Sequence, residues 1–238
     1  LKIFKFDFCG SVSEYTVIPA AYPTLDFFNA SSVRPSFSHK ASMDFSQSTG
    51  LIFDCDGTLA DTMPLHCIAW RTTLIRHGFR FSEEQIYELA GTPTVSIVRL
   101  LQREQNVSGD PVAIAYEKEN EFLNTLDQVE PIEPVVEIAR RHRATHLMGV
   151  GSGSTRDVVL RILKHIGLDD FFDTVIGAED TKKHKPEPDV FLEVARRIQV
   201  APSSCCVFED ADLGIESARR AGMTHVDIRT LHTPRRIS

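Results

Sequence analysis

The chain lacks any apolar run near the roughly 18 residues that a membrane-spanning helix needs, so no such helix and no membrane partner is expected. Its five cysteines, Cys9, Cys55, Cys67, Cys205 and Cys206, include no C-x-x-C pair. Two are adjacent and the count is odd, which suits neither a disulfide framework nor a zinc site. Free, mostly buried thiols in a reducing, cytoplasmic compartment are expected instead. Positive charge is also short: 26 Lys and Arg stand against 33 Asp and Glu, for a net charge of −7. That balance argues against a general nucleic-acid binder, though not against a local basic pocket. There is one Trp, no internal repeat, no low-complexity tract and no Met before Met43. What is present is an ordinary globular balance, 42% hydrophobic and 25% charged. At 238 residues, it allows one large domain or two small ones.

Residues 1–42 differ from the rest. They carry four basic residues, Lys2, Lys5, Arg34 and Lys40, against Asp7, Glu14 and Asp26. They are rich in Phe, Tyr and Ser, and no long hydrophobic period survives Pro19, Pro23 and Pro35. Three readings stand: non-native sequence ahead of initiation at Met43, part of a transit segment that makes an organellar location conceivable, or an extension that packs on the body. The first two predict an extension that is disordered, targeting or non-native, and that residues 43–238 fold and work alone.

From Gly50 the signal changes. Leu51-Ile52-Phe53 is a short apolar strand that runs into Asp54-Cys55-Asp56-Gly57-Thr58-Leu59. Open α/β sheets place their sites at the C-terminal ends of strands. Two carboxylates two residues apart share one side of an extended strand end, and their mutual repulsion calls for a cation, with Mg²⁺ the expected partner. Gly57 permits the tight turn that follows. Three further strings follow in order. An apolar run, 145–150, enters Gly151-Ser152-Gly153-Ser154; Lys185-Pro186 opens a helix; and Cys205-Cys206-Val207-Phe208 enters Glu209-Asp210-Ala211-Asp212. Ser152 by itself would equally serve as a helix cap, Lys185 stands in a basic patch with Lys182 and Lys183, and Asp212 is expected to cap the helix after it. Asp61 and Thr62 are expected to close the turn after the first string.

These four strings, in this order over residues 51–212, resemble the motifs of the haloacid dehalogenase superfamily of phosphatases. The resemblance implies a nucleophilic Asp54, a general acid–base Asp56, a phosphoryl-binding Ser152 and a charge-balancing Lys185. It also implies Mg²⁺ held by Asp54, the Asp56 carbonyl and Asp210, with Glu209 as ligand or neighbour.

The stretch of about 90 residues between the first and second motifs is too long for a simple crossover. It reads as helices over 64–77, 82–89, 94–102 and 111–126, with a capping box at Ser82-Glu83-Glu84-Gln85. Leu74 with Ile75, and Ile97 with Leu100 and Leu101, fit amphipathic faces. Beyond it, helices and strands alternate, with strands at 174–176, 205–208 and 225–228 and helices over 135–141, 156–165, 188–198 and 213–221. The expected fold is α/β: a doubly wound parallel sheet with an inserted small helical cap domain. The core comprises residues 43–62 and 131–238, and the cap 63–130. The cap string Asp61-Thr62-Met63-Pro64-Leu65-His66 with Ala69-Trp70 is similar to the β-phosphoglucomutase-like subgroup, which would place His66 and Trp70 at the site. Packing inside the cap would equally account for Trp70. The loop Leu89-Ala90-Gly91-Thr92-Pro93-Thr94 has no Lys or Arg to hold a second phosphate. It looks most like phosphatases of fructose 1-phosphate and 6-phosphogluconate, and makes Thr92 and Ser154 expected substrate contacts. No Lys for a phosphonatase-type Schiff base is expected near His66. The resemblance thus implies a monomeric, Mg²⁺-dependent phosphatase of a small phosphorylated metabolite, a sugar or sugar-acid monophosphate, acting through an aspartyl-phosphate. A sugar-phosphate mutase and an idle phosphosugar-binding module are the alternatives.

Overall fold

The computed structural model describes residues 47–234. Expectations for residues 1–42, for Cys9 and for the start at Met43 lie outside the described residues.

Five short strands form one parallel sheet: β1 (Gly50–Phe53), β2 (Leu147–Gly151), β3 (Thr174–Ile176), β4 (Cys205–Glu209) and β5 (Thr224–Asp227), in the order β3-β2-β1-β4-β5. β1 lies at the centre with all four residues buried. A strand covered on both faces needs an unbroken apolar run, and Leu51-Ile52-Phe53 supplies it. The side chains divide by alternation. Leu51, Phe53, Met148, Val150, Cys206 and Phe208 meet α5 (Glu133–His142) and α6 (Arg156–His165) on one face. Ile52, Cys205 and Val207 meet α7 (Asp189–Arg197) and α8 (Asp212–Arg220) on the other. Phe53 and Phe208 stack at 4.6 Å between ring centroids, fixing β1 against β4 beside the site. Cys55, Cys67, Cys205 and Cys206 are buried thiols outside any disulfide among the described residues, as expected.

The insert holds four helices: α1 (Met63–Arg76), α2 (Glu83–Glu88), α3 (Thr94–Gln105) and α4 (Pro111–Leu123). Cys67, Trp70, Leu74, Ile97, Val98, Leu101 and Ile114 form a core of their own there. The capping box at Ser82 and Gln85 is present. The two chain crossings into and out of the insert lie side by side. Ala60 bridges Pro131, Asp61 N–H donates to the Glu130 carbonyl at 2.9 Å, and Ile132 N–H donates to Leu59 at 2.9 Å. Among the described residues, no helix is long and apolar enough to cross a membrane.

Several expectations are corrected. α3 runs on to Gln105, where Asn106 takes the left-handed conformation that ends helices. α4 stops at Leu123, because the Thr125 hydroxyl donates to the Phe122 carbonyl and turns the chain. Ile75 is 62% exposed; it lies about 100° around the helix from buried Leu74. Asp212 does not cap α8: Ala211 holds that position, and Asp212 pairs with Arg229 at 2.8 Å.

Candidate active site

The carboxyl-terminal ends of β1, β2 and β4 are adjacent, so three of the four sequence strings meet at one point. Asp54 leaves β1 with its N–H on the Phe208 carbonyl at 3.0 Å, and its side chain is buried. Lys185 Nζ donates to Asp54 Oδ1 at 2.6 Å and to Glu209 Oε2 at 2.8 Å. Glu209 Oε1 accepts from the Ala211 N–H at 3.0 Å. Thr58 Oγ1 donates to Asp210 Oδ1 at 3.0 Å. Gly57, at φ +84°, is required twice: for that turn, and because a Cβ would come within 2.3 Å of the Asp210 carboxylate.

Asp54, Glu209 and Asp210 each offer an oxygen, all within 4.8 Å of one another. Burial pushes the Asp54 carboxyl well above its ordinary range; Glu209 adds to the rise and Lys185 opposes it. Burial and Glu209 likewise push Asp210 up to about 8. Burial works against the Lys185 ammonium, but Asp54 and Glu209 overcome it and keep it protonated. One ammonium among three carboxylates leaves the cluster short of positive charge. Its donors are all oxygens, the set that hard divalent cations prefer. The residues therefore fit a Mg²⁺ ion.

Asp56 lies apart from this cluster and is held from four sides. His66 Nε2 and Thr62 Oγ1 meet its Oδ1 at 2.9 and 2.8 Å; Ser154 Oγ and Ser152 Oγ meet its Oδ2 at 2.7 and 3.4 Å. Burial raises this carboxyl's pKa, but the His66 ring and the hydrogen bonds from His66, Ser154 and Thr62 outweigh it and hold it far below the usual range. Ser152 Oγ also accepts the Ser154 N–H at 3.0 Å, so Ser152 closes the loop after β2 rather than capping α6. Thr62, expected only to close a turn, is a site residue.

The sequence reading also missed Lys118, on α4. Its Nζ lies 2.8 Å from His66 Nδ1, contrary to the expectation of no Lys near His66. Lys118 Nζ and Asp56 Oδ1 thus hold the two ring nitrogens of His66 from opposite sides. His66 stacks on Phe122 at 3.9 Å, and Lys118 lies over the Trp70 ring at 5.2 Å. Trp70 therefore both packs in the α1–α4 core and floors the ammonium. Glu119 Oε1 accepts from Lys118 at 3.2 Å and from Thr94. Burial disfavours the Glu119 carboxylate, yet Lys118, His66 and the Thr94 hydroxyl hold its pKa below the ordinary value.

Asp54, Asp56, His66, Trp70, Thr92, Lys118, Ser152 and Ser154 line one cavity of about 50 Å³ beneath α1–α4. That is room for water but not for a sugar phosphate, since ligand pockets run to about 300 Å³ or more. The 89–94 loop meets the loop after β2 at the edge of the cavity: a Cβ on Gly153 would lie 2.3 Å from the Gly91 carbonyl oxygen. Of the residues singled out from sequence, Lys185, Glu209 and Asp210 stand behind Asp54 rather than on the cavity wall.

A parallel sheet with acidic strand ends and a helical insert closing over them defines a class. The family model for haloacid dehalogenase-like hydrolases matches residues 51–228. The chain belongs to that family and is a phosphoric monoester hydrolase. It is 42% identical over 188 residues to the fructose-1-phosphate phosphatase YqaB of Escherichia coli (strain K12), covering 79% of this chain and 100% of that one. It is 26% identical over 180 residues to a phosphorylated carbohydrates phosphatase of Thermotoga maritima, covering 74% and 82%. The crystal structure of a β-phosphoglucomutase from Clostridium difficile superposes with a TM-score of 0.69 at 26% identity, covering 76% and 84%.

Proposed function

We propose that this chain is a Mg²⁺-dependent phosphatase of small sugar or sugar-acid monophosphates, working through an aspartyl-phosphate. The observation that carries this reading is the pairing of buried Asp54 and Lys185 beside an acidic cluster, with Asp56 gripped by His66 from the insert. The similarity to the sugar-phosphate phosphatases named above supports the substrate class.

An Asp54 oxygen attacks phosphorus, and the bond from phosphorus to the sugar oxygen breaks. Asp56 gives its proton to that leaving oxygen. Water then attacks the aspartyl-phosphate, passes its proton to Asp56, and leaves as inorganic phosphate with Asp54 restored. Asp56 begins as a carboxylate under its four donors; an arriving phosphate anion adds negative charge beside it and raises its proton affinity, so that it takes from solvent the proton it then gives to the leaving oxygen. Ser152 donates to the transferring oxygens and Lys185 offsets their charge. Asp54, the Asp56 carbonyl and Asp210 would hold the metal ion, with Glu209 beside them. When bound, Mg²⁺ supplies positive charge that lets two anions approach. Thr62, His66 and Lys118 orient Asp56; Ser154, Thr92 and Trp70 shape the cavity.

In this reading residues 63–130 are the cap, residues 43–62 and 131–238 the core, and the enzyme acts as a cytoplasmic monomer. A phosphate-release screen of sugar, polyol and sugar-acid phosphates with excess Mg²⁺ tests it. Turnover of at least one monophosphate is expected, without conversion of β-glucose 1-phosphate to glucose 6-phosphate. No release from any of them overturns the phosphatase, and glucose 6-phosphate formation replaces it with a mutase.

A further inference from the structure

Three features of the insert remain unused by this mechanism, and they converge on Glu119. First, its carboxylate is nearly all buried, with Oε1 fixed by Lys118 and Thr94, while Oε2 is covered and has no hydrogen-bond partner. A buried carboxylate oxygen left bare is costly, by about 1–3 kcal/mol for an ordinary polar group and more for a charged one. Second, Lys118 is the only Lys or Arg lining the inner cavity among the described residues, and Glu119 neutralises it. Third, Glu119 lines an outer groove of about 560 Å³ between α3, α4 and α6, which Arg99 and Arg161 also line, and that groove shares Thr94 and Gly153 with the inner cavity. Glu119 therefore stands at the junction of the cavity and the groove, beside Thr94.

We propose that Glu119 is a specificity-determining residue that selects monophosphates, pairing Lys118 so that the inner cavity offers no unpaired Lys or Arg to a second phosphate and accepting a hydroxyl from the substrate's neutral end at Oε2. This rests on the phosphatase reading above and deepens it. A hydroxyl donates to a carboxylate, whereas a phosphate only accepts and carries like charge. Placing like charges together across a contact costs several kcal/mol. The one carboxylate thus rewards a polyol end and rejects an anionic one. Without it, Lys118 becomes a lone ammonium at the inner end of the cavity, suited to a distal phosphate.

The test compares the full chain with Glu119→Gln and Glu119→Asp, using fructose 1-phosphate and fructose 1,6-bisphosphate with Mg²⁺. Binding is read by calorimetry and turnover by phosphate release. In Glu119→Gln the ratio of kcat/KM for monophosphate over bisphosphate is expected to fall about tenfold or more. The fall should come from a raised KM for the monophosphate and tighter binding of the bisphosphate, with kcat changing less. Glu119→Asp keeps the charge and should keep most of the preference; thermal melting shows that both variants fold. Equal changes for the two ligands, or a loss confined to kcat, would mean Glu119 only props Lys118 and would overturn this inference alone. A parent chain that binds and hydrolyses neither ligand would overturn it together with the phosphatase reading.

Discussion

At Asp54, burial and the charge of Glu209 push the carboxyl pKa up while Lys185 pulls it back. Asp54→Asn keeps the shape and removes the charge. Turnover should fall by about a thousandfold or more, as losses of a nucleophile do. Metal-free stability should hold or rise, because one of three crowded carboxylates is gone. Phosphate release and thermal melting read the two effects separately; substantial activity in the variant would remove Asp54 as the nucleophile. Asp54, Asp56, Ser152 and Lys185 were legible because each ends a contiguous string whose spacing already limits its chemistry. Lys118 and Glu119 were not. They lie in Glu117-Lys118-Glu119-Asn120-Glu121, which reads as a solvated face of α4. Only the rotation of the helix against α1 turns Lys118 inward, where it is 3% exposed. The only local cue was Thr94, whose hydroxyl turned out to hold Glu119.

At the scale of elements, the contact between Gly91 and Gly153 joins the insert to the loop after β2 at the edge of the cavity. A methyl group at Gly153 would meet backbone, which cannot swing aside as a side chain would. Gly153→Ala should therefore hold the 89–94 loop off the site and misplace what it carries. A displacement of about 1 Å can cost a hundredfold in rate, so kcat/KM should drop by about that factor while the melting temperature moves little. Steady-state kinetics beside a thermal melt checks this; unchanged kinetics would mean that closure at this point does not matter. The strands and most helices were readable because a covered parallel strand is an unbroken apolar run and an amphipathic helix repeats its own period. Helix ends were less so. α3 ended by backbone conformation at Asn106 and α4 by a side-chain hydroxyl at Thr125, choices that a hydrophobic period does not record.

Across the whole molecule, the acidic cluster links stability to pH and metal. Asp210 binds its proton up to about pH 8 when folded, against an ordinary value of 3.8. Between those values the native state holds a proton that the unfolded chain has released, so stability falls as pH rises through that window. A divalent cation cancels the repulsion and displaces the proton. Mg²⁺ should thus raise the melting temperature more at about pH 8 than at about pH 5. Calorimetry at both pH values, with Mg²⁺ and with a chelator, measures the increment; one that shrinks as pH rises would contradict the cluster as the metal site.

The paired crossings at Ala60–Pro131 and Asp61–Glu130 have one more consequence. In the proposed reading of residues 63–130 as a cap, two strands of chain stapled side by side would serve as its hinge. His66 lies one helical turn beyond that pivot and Asp56 just before it. A swing about that hinge would therefore draw His66 off the Asp56 carboxylate. Cap and proton carrier would then work as an interlock, with Asp56 fully dressed only while the insert lies over it.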